Sequence, residues 1–161
     1  MPSLLNEEMD LQVATLCDSA VDYNGKLCVL GTFDTICAAK FPVVHAQCAL
    51  AMRICFRPED EGSREFRIRI IDADGGVIVS IPPEKGDGAN PAIGIDVKLP
   101  DDGYFLSRNL VFNLFRLKFE NQGQYSIDIT CDGQLLARIP LRIMMLAGRD
   151  QGGNHGGAAP A

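Results

Sequence analysis

Two histidines and six cysteines are the residues best suited to nucleophilic chemistry. A serine or cysteine nucleophile needs a general base beside it, and that base is usually a histidine. His155 lies in a glycine-rich stretch near the C-terminus, so an enzyme would have to use His45 with a nearby thiol or carboxylate. His45 follows Val43 and Val44 in an apolar run, where a lone histidine is more often a hydrogen-bonded structural residue. A small hydrolase or ligand-binding enzyme with His45 as its base is therefore an alternative, not the leading hypothesis.

Carboxylates offer a second chemistry, the binding of a hard cation such as calcium. Asp72 and Asp74 have the alternating spacing with which a calcium loop begins. A hydrophobic segment follows directly, without the glutamate that ends such a loop, so a hairpin turn explains this pair better. Asp101 and Asp102 could join the pair only if the fold brought two loops together. Calcium or carbohydrate binding through these four carboxylates is the second alternative, and we expect no cofactor and no bound metal.

The cysteines are expected to be reduced thiols that fill core space. No two of them form the C-x-x-C pair of structural zinc sites and redox motifs. Disulfide frames are typical of small exported chains, whereas the first residues here are acidic where a secretory signal needs basic ones. A chain of 161 residues also buries a sufficient core without cross-links. The six positions are Cys17, Cys28, Cys37, Cys48, Cys55 and Cys131.

Charge and hydropathy argue against two classes of partner. The formal net charge of -6 disfavours nucleic acid, because affinity for the phosphate backbone comes from clustered lysine and arginine. The longest apolar neighbourhood, Phe41–Phe56, contains polar interruptions and is shorter than the roughly 20 residues of a membrane-spanning helix. We therefore expect no nucleic acid and no membrane, a cytoplasmic location, and a protein as the partner to look for. The oligomeric state is left open.

The elements that must position these residues are strands. Apolar and charged residues alternate in several segments, which is the pattern of half-buried strands. No segment has a sustained apolar stripe at helical spacing with a cap before it. The sequence therefore predicts an all-β antiparallel sandwich, immunoglobulin-like or jelly-roll-like, with about eight or nine strands and little or no helix. The alternating segments are Phe66–Ile70, Ile93–Leu99, Phe115–Glu120 and Tyr125–Cys131.

Turn residues predict two hairpins. Asn24-Gly25 supplies the two positive φ angles of a type I′ turn, so Leu11–Asp18 and Lys26–Cys37 are expected to pair. Asn121 and Gly123 stand between Phe115–Glu120 and Tyr125–Cys131, which predicts a second hairpin there.

The alternation of inward-facing and outward-facing residues predicts the geometry of the last hairpin. If Asp132-Gly133 were a plain two-residue turn, Ile127 would face Arg138 and charge would enter the core. A three-residue loop, with Gly133 as a bulge, instead pairs Ile127 with Ala137 and brings Asp128 diagonal to Arg138. The same register pairs Ile129 with Leu135 and Tyr125 with Ile139. The final strand, Gln134 to about Leu146, contains Pro140 and outward arginines, so we expect it at a sheet edge.

The chain divides into three parts by composition. Residues 1–8 are predicted to be an N-terminal extension and residues 9–146 the sandwich domain. Residues 147–161, which are rich in glycine and have almost nothing to bury, are predicted to be a disordered tail. The one long internal loop, Pro82–Pro91, is the loop most suited to a function.

Several short motifs recur at the turns and core positions of a known family. They are Cys17-Asp18, Asn24–Leu27, Leu30–Asp34, Phe41-Pro42, Gly123–Tyr125, Asp132-Gly133 and Ile139–Leu141. Through them the sequence resembles an uncharacterised bacterial family of small all-β proteins, a domain of unknown function. The resemblance covers most of residues 9–146 and implies the same fold, but it brings no catalytic residues. The leading hypothesis is therefore a non-enzymatic binding or protein-interaction module, since sandwiches commonly display loops on a rigid frame.

Overall fold

Ten strands in two packed sheets make up the protein. The computed structural model describes residues 9–87 and 91–147, and within them the only helical element is a single 3-10 turn at Pro58–Asp60. The all-β sandwich is thus confirmed, with slightly more strands than predicted. The predicted extension 1–8 and nearly all of the predicted tail lie outside the described residues. The strands are β1 (Asp10–Tyr23), β2 (Lys26–Thr32), β3 (Thr35–Ala38), β4 (Val43–Phe56), β5 (Gly62–Asp72), β6 (Val77–Ile81), β7 (Ile93–Val97), β8 (Leu106–Phe119), β9 (Gly123–Cys131) and β10 (Gln134–Met145).

The two sheets differ in size and in strand direction. Sheet A has four antiparallel strands in the order β2-β1-β4-β8. Sheet B has six strands in the order β3-β10-β9-β5-β6, and β7 pairs with the first half of β5 while β6 pairs with the second half. β3 and β10 run parallel, so sheet B is mixed. No helix in residues 9–87 and 91–147 is long and apolar enough to cross a bilayer.

The core lies between the sheets and follows the period-two pattern of the strands. Alternate side chains of the central strands β4, β5 and β9 are almost fully buried, because they face the opposite sheet. Each buried aliphatic side chain of this kind stabilises the fold by roughly 1.5–3 kcal/mol relative to an exposed one. The largest such residues are Phe56, Phe66, Phe119, Leu16, Leu50, Met52, Ile54, Ile68, Ile70, Ile127, Ile129 and Leu141.

The turn of the first hairpin is confirmed, but the predicted pairing of its arms is correct only in part. Cys17–Tyr23 pairs with Lys26–Thr32, whereas Leu11–Leu16 pairs with β4 and Thr35–Ala38 forms β3 in sheet B. Asn24 and Gly25 have φ angles of 50° and 79°, as a type I′ turn requires. β1 pairs with β4 only as far as Cys17, and beyond that point it pairs with β2 alone. The tip then reaches back to sheet A, where the Arg53 guanidinium and the Asn109 amide both donate to the Gly25 carbonyl, each at 3.1 Å. The far half of the hairpin therefore folds over the outer face of sheet A.

The predicted hairpin of Phe115–Glu120 with Tyr125–Cys131 is wrong, because β8 belongs to sheet A and β9 to sheet B. The connection between them is a corner that crosses from one sheet to the other. The Tyr125 hydroxyl donates to the Asn121 carbonyl at 2.6 Å and closes this corner. Its ring packs edge-on against Phe119 at 5.1 Å. Alternation identified both strands correctly, but it indicates which face is buried and not which strand is the neighbour.

The last hairpin keeps a two-residue turn and places its extra residue elsewhere. Asp132 and Gly133 have φ angles of 48° and 81°, and Gln134 pairs directly with Cys131. The register shifts between Leu135 and Ala137, so the bulge is at Leu136 and not in the loop. The predicted three-residue loop and its pairs were therefore wrong, although the need for one extra residue was correct. The actual pairs are Ala137 with Ile129, Arg138 with Asp128, Ile139 with Ile127 and Leu141 with Tyr125.

β10 is an edge strand along only part of its length. β3 covers Arg142–Met145 in parallel, whereas Pro140 precedes the covered part. The Arg142 N–H donates to the Asp34 carbonyl on the outer side of β10. The nitrogen of Pro140, two residues earlier, points to the same outer side, where β10 has no partner strand at that position. The N–H that proline lacks is therefore not needed for pairing. The expectation of a free edge was wrong for the second half of the strand, because its partner is far away in the sequence.

β4 and β8 change their inward-facing positions at the same place. On β8 the core-facing residues Leu114 and Leu117 are three positions apart, so the two-residue alternation is interrupted between them. On β4 it is interrupted in the same way between Cys48 and Val43, which are five positions apart. Arg116 lies at this change with a φ of 53°, in the left-handed region that non-glycine residues seldom adopt. The two paired strands therefore bend together, and Arg116 carries the unfavourable backbone angle.

Candidate functional site

The Asp72 carboxylate is a structural part of the turn between β5 and β6. Its Oδ1 accepts the N–H groups of Asp74 at 2.9 Å and of Gly76 at 2.8 Å. The Gly75 N–H bonds to the Asp72 carbonyl at 3.1 Å and completes the turn. One side chain thus supplies the acceptors for a tight turn, which is the usual role of aspartate at such a position.

The other two candidate carboxylates lie at the opposite end of the sandwich. Asp101 and Asp102 are exposed in a turn that the Gly103 N–H closes on the Pro100 carbonyl at 2.9 Å. This turn follows β7, whose last residue pairs with the first residue of β5, whereas Asp72 is the last residue of β5. Ten residues of strand separate the two ends by about 33 Å. The fold therefore does not bring Asp101 and Asp102 to Asp72 and Asp74.

Within the described ranges no three histidine, cysteine, aspartate or glutamate side chains are grouped so that they could hold a metal ion.

His45 faces the interior near the first residue of β4, on the N-terminal side of the bend. It pairs with Leu117, and its ring lies 5.6 Å from the ring of Phe33 at a 45° tilt. The Nε2 atom is buried and has no hydrogen-bond partner among the residues that the structure describes. An imidazole against an aromatic ring, with that nitrogen unpaired, is arranged as a packing group.

The thiols fall into two sets. Cys17, Cys48, Cys55 and Cys131 are buried and unpaired, as expected of core thiols. Burial raises the pKa of Cys48 to about 11 and that of Cys131 to about 12, so neither forms the reactive thiolate at neutral pH.

Cys28 and Cys37 are exposed, and for these two the prediction of core packing was wrong. Cys28 stands on the outward face of β2, and Cys37 stands on β3 in the other sheet.

A cleft of about 320 Å³ opens where β1 begins and the β9–β10 turn lies, beside the 3-10 turn. Arg64 holds one wall of it: Nε donates to the Asp60 carbonyl at 3.0 Å, and Nη1 donates to the Asp132 carboxylate, also at 3.0 Å. The Glu65 N–H and this guanidinium keep the pKa of Asp132 below its ordinary value. Arg64 and Asp132 are therefore engaged with each other and with the neighbouring backbone, and they fix the turn to β5.

A second cleft, of about 360 Å³, lies on the outer face of sheet B near the β5–β6 turn. Arg138 lines it and makes a bidentate contact with Asp128, at 2.8 Å from Nε and 2.7 Å from Nη2. The hydrogen bonds from Arg138 lower the pKa of Asp128, and the Ser126 hydroxyl adds a weaker bond at 3.3 Å. The two charges face each other directly across the strands, not diagonally as predicted.

The outward face of the folded-back hairpin is uncovered, and a group of apolar side chains lies on it beside Ser19 and Lys26. Ala20, Leu27 and Val29 point down onto sheet A, where they pack against a buried group of Cys17, Ala49 and Ala51. The alternate side chains point away from the protein, because successive strand residues face opposite sides. Val21 is 56% exposed, Tyr23 63% and Leu30 71%, and the exposed Cys28 pairs across the strands with Val21. We call these four residues, Val21, Tyr23, Cys28 and Leu30, the hairpin face.

A family model matches residues 12–144, most of the chain. The chain belongs to the family of unknown function DUF6941. The resemblance to a domain of unknown function is thereby confirmed. No curated protein matches the chain in sequence.

Two solved structures are similar in parts. One is the alkylpurine DNA glycosylase AlkC of Pseudomonas fluorescens, bound to DNA containing an abasic site analogue, with 9% identity and a TM-score of 0.46. It covers 85% of this chain, which spans only 30% of that one. The other is a β-glucuronidase of glycoside hydrolase family 2, with 14% identity and a TM-score of 0.29 over 63% of this chain and 11% of that one.

The hairpin face escaped the sequence reasoning, although a signal for it exists. Leu27-Cys28-Val29-Leu30 is apolar at four successive positions, so both faces of β2 are apolar. A strand with one solvent-exposed face alternates apolar and polar residues. A strand that is apolar at successive positions has two apolar faces, and each of them is expected to pack against apolar surface. One side covers sheet A, and the other is the hairpin face.

Proposed function

We propose that the protein is a non-enzymatic interaction module and that the hairpin face is where its partner docks. The observation that supports this is a set of four exposed apolar side chains on one side of a ribbon whose other side is packed. Single exposed apolar residues are ordinary, but adjacent ones on one face are typical of interaction sites. Tyr23 adds an aromatic side chain of the kind that is enriched in protein interfaces.

The size of the hairpin face favours a short apolar segment of a partner protein over a whole globular face. β2 has 7 residues, so the ribbon is about 23 Å long. With a width of about 10 Å, it offers roughly 230 Å², whereas a stable globular interface buries about 800 Å² on each partner. A second copy of the chain stacked here face to face would also fall short of that area.

The two exposed thiols provide a direct test. A photo-crosslinker is attached through a thiol to Cys28 in a Cys37→Ser variant, and to Cys37 in a Cys28→Ser variant as the matched control. Both proteins are irradiated in extract of the source cells. The proposal requires a discrete adduct from Cys28 that is missing from Cys37.

The adduct must also depend on the hairpin face. Leu30→Ser removes an apolar contact worth about 2 kcal/mol, which corresponds to roughly thirtyfold weaker binding. Tyr23→Ser should act likewise, whereas Val77→Ser, at an exposed apolar position in sheet B, should leave the adduct unchanged. Equal adducts from both thiols, no adduct, or an adduct indifferent to Leu30→Ser and Tyr23→Ser would refute the proposal.

A further inference from the structure

β8 is by far the longest sheet edge in the described part of the chain. It pairs with β4 through all of its 14 residues, and its other side has no strand beside it. The other edges in the described residues are shorter: β3 has 4 residues, β6 and β7 have 5 each, β2 has 7, and the part of β10 that β3 leaves uncovered, Gln134–Leu141, has 8. Proteins usually keep edge strands short, because a row of unpaired backbone N–H and C=O groups is a template for another strand.

The charges along β8 have a single sign. Its ionisable side chains are Arg108, Arg116 and Lys118, and it contains no aspartate or glutamate; Lys118 Nζ lies 3.1 Å from the exposed carboxylate of Glu120, one residue beyond the strand. This contrasts with a chain whose formal net charge is -6. The exposed side chains of Phe115, at 61%, and Val44 on the neighbouring β4, at 54%, add apolar surface beside these cations.

This pattern disfavours pairing with a second copy of the chain. Antiparallel self-pairing centred on Phe112 would set Arg108 opposite Arg116. Centring on Asn113 would set Arg108 opposite Lys118. Like charges directly opposite across two strands are destabilising, so the cations select against β8 itself.

Arg116 provides an independent observation. Its left-handed φ of 53° is unfavourable for a residue with a side chain, and glycine would avoid that strain. The side chain at this position is exposed. Strained backbone angles cluster at functional sites, so strain at an exposed cation favours a recognition role for Arg116.

We propose that the outer edge of β8 binds an extended acidic segment of a partner protein as an added strand. The added backbone would supply the missing hydrogen bonds, and alternate carboxylates would meet Arg108, Arg116 and Lys118. This edge is distinct from the hairpin face, which lies on the outer side of sheet A and contributes apolar contacts.

The test uses defined peptides and fluorescence anisotropy with the full chain. The probe is a labelled peptide of about ten residues in which glutamate and valine alternate, long enough to run along most of β8. One control peptide replaces glutamate with lysine. Two others carry N-methyl groups on one or the other set of alternate residues, so each has one edge that cannot donate hydrogen bonds.

The expected result has three parts. The glutamate peptide binds and the lysine peptide does not, and binding weakens as salt is raised because the charges become screened. At least one N-methylated peptide loses binding, because an added strand must donate from the edge that faces β8. The double variant Arg108→Glu, Lys118→Glu loses at least about tenfold in affinity for the glutamate peptide, since like charges now face each other. Its melting temperature and circular dichroism report whether it remains folded, and the single variant Arg108→Gln serves if it does not.

Other results would overturn the proposal. These are no binding of the glutamate peptide at about millimolar concentration, equal binding of both charge types, full binding by both N-methylated peptides, or indifference to the charge-reversing variant in a folded protein. Self-association through β8, seen by sedimentation and abolished by Arg108→Glu, would show that a second copy is the occupant. Tyr23→Ser and Leu30→Ser should leave peptide binding unchanged, so failure here and failure at the hairpin face are distinguishable.

Discussion

Replacing Arg116 with glycine should stabilise the protein, although most substitutions of this kind in a strand destabilise it. Glycine in a strand costs about 0.5–1 kcal/mol, because it has more conformational freedom to lose on folding. Releasing a non-glycine residue from a left-handed φ of 53° returns about 1–2 kcal/mol. The net effect at position 116 is a gain of about 0.5–1 kcal/mol.

Arg108→Gly is the matched control, because it makes the same chemical change on the same strand. Arg108 is exposed and is not among the residues with positive φ. The control variant therefore bears the cost of glycine without the relief, and loses about 0.5–1 kcal/mol. The two variants should differ by about 1–2 kcal/mol, and the loss of one positive charge is common to both.

Urea denaturation at equilibrium measures this difference, with thermal melting as a second readout. For a chain of this length 1 kcal/mol shifts the melting temperature by about 2–4 °C, so the variants should melt about 2–8 °C apart. Equal destabilisation by Arg116→Gly and Arg108→Gly would refute the argument that the backbone at position 116 is strained. Weaker binding of the glutamate peptide by the more stable Arg116→Gly protein would show that stability and recognition are opposed at this residue.

Three further outcomes follow from contacts described above. Tyr125→Phe should cost about 1 kcal/mol in urea denaturation, because it leaves the Asn121 carbonyl without the hydroxyl donor at 2.6 Å. His45→Leu should keep or raise stability by up to about 1 kcal/mol, because it removes a buried Nε2 without a partner; a large loss would point to a polar role for the ring. Since Arg138 lowers the pKa of Asp128, this carboxylate stabilises the fold above about pH 4, and that contribution disappears as the pH falls through the lowered value. Asp128→Asn should flatten the loss of stability below pH 4 in acid titrations monitored by circular dichroism, and an unchanged acid profile would contradict this account.

The sequence was informative wherever one residue type determines local geometry. Asn24-Gly25 predicted its turn because few other residues adopt two positive φ angles. The alternation in Phe66–Ile70 and Tyr125–Cys131 predicted β5 and β9, because one buried face requires it.

Which strands pair with each other could not be predicted in the same way. β8 and β9 have the alternation of a hairpin, yet they lie in different sheets, because a corner at Asn121 satisfies the same pattern of burial. Parity required one extra residue in the last hairpin but could not say where it lies, and Leu136 satisfies it as well as the loop would. The parallel pairing of β3 with β10 leaves no local trace, because its two strands are far apart in the chain.

The candidate carboxylates were found from local spacing alone, which cannot tell a turn from a ligand set. The Asp72 carboxylate accepts hydrogen bonds from its own turn. Asp101 follows β7 and lies near the first residue of β5, whereas Asp72 is the last residue of that strand. The hairpin face depends on the folding back of β1 over sheet A. The apolar run Leu27–Leu30 indicates that both faces of β2 are apolar, but it does not say what either face packs against.

That folded-back ribbon also defines a unit that can open by itself. Ala20, Leu27 and Val29 pack it against Cys17, Ala49 and Ala51, and Arg53 and Asn109 hydrogen-bond to its tip, so its contact with sheet A is limited to one small cluster and the tip. Lifting it would break no pairing between β4 and β8, and it would uncover Cys17, which is fully shielded when the ribbon is closed. Regions with few apolar contacts open with lower free energy than the global transition. The rate at which a thiol reagent modifies Cys17 therefore measures local opening of the hairpin while the two sheets remain folded.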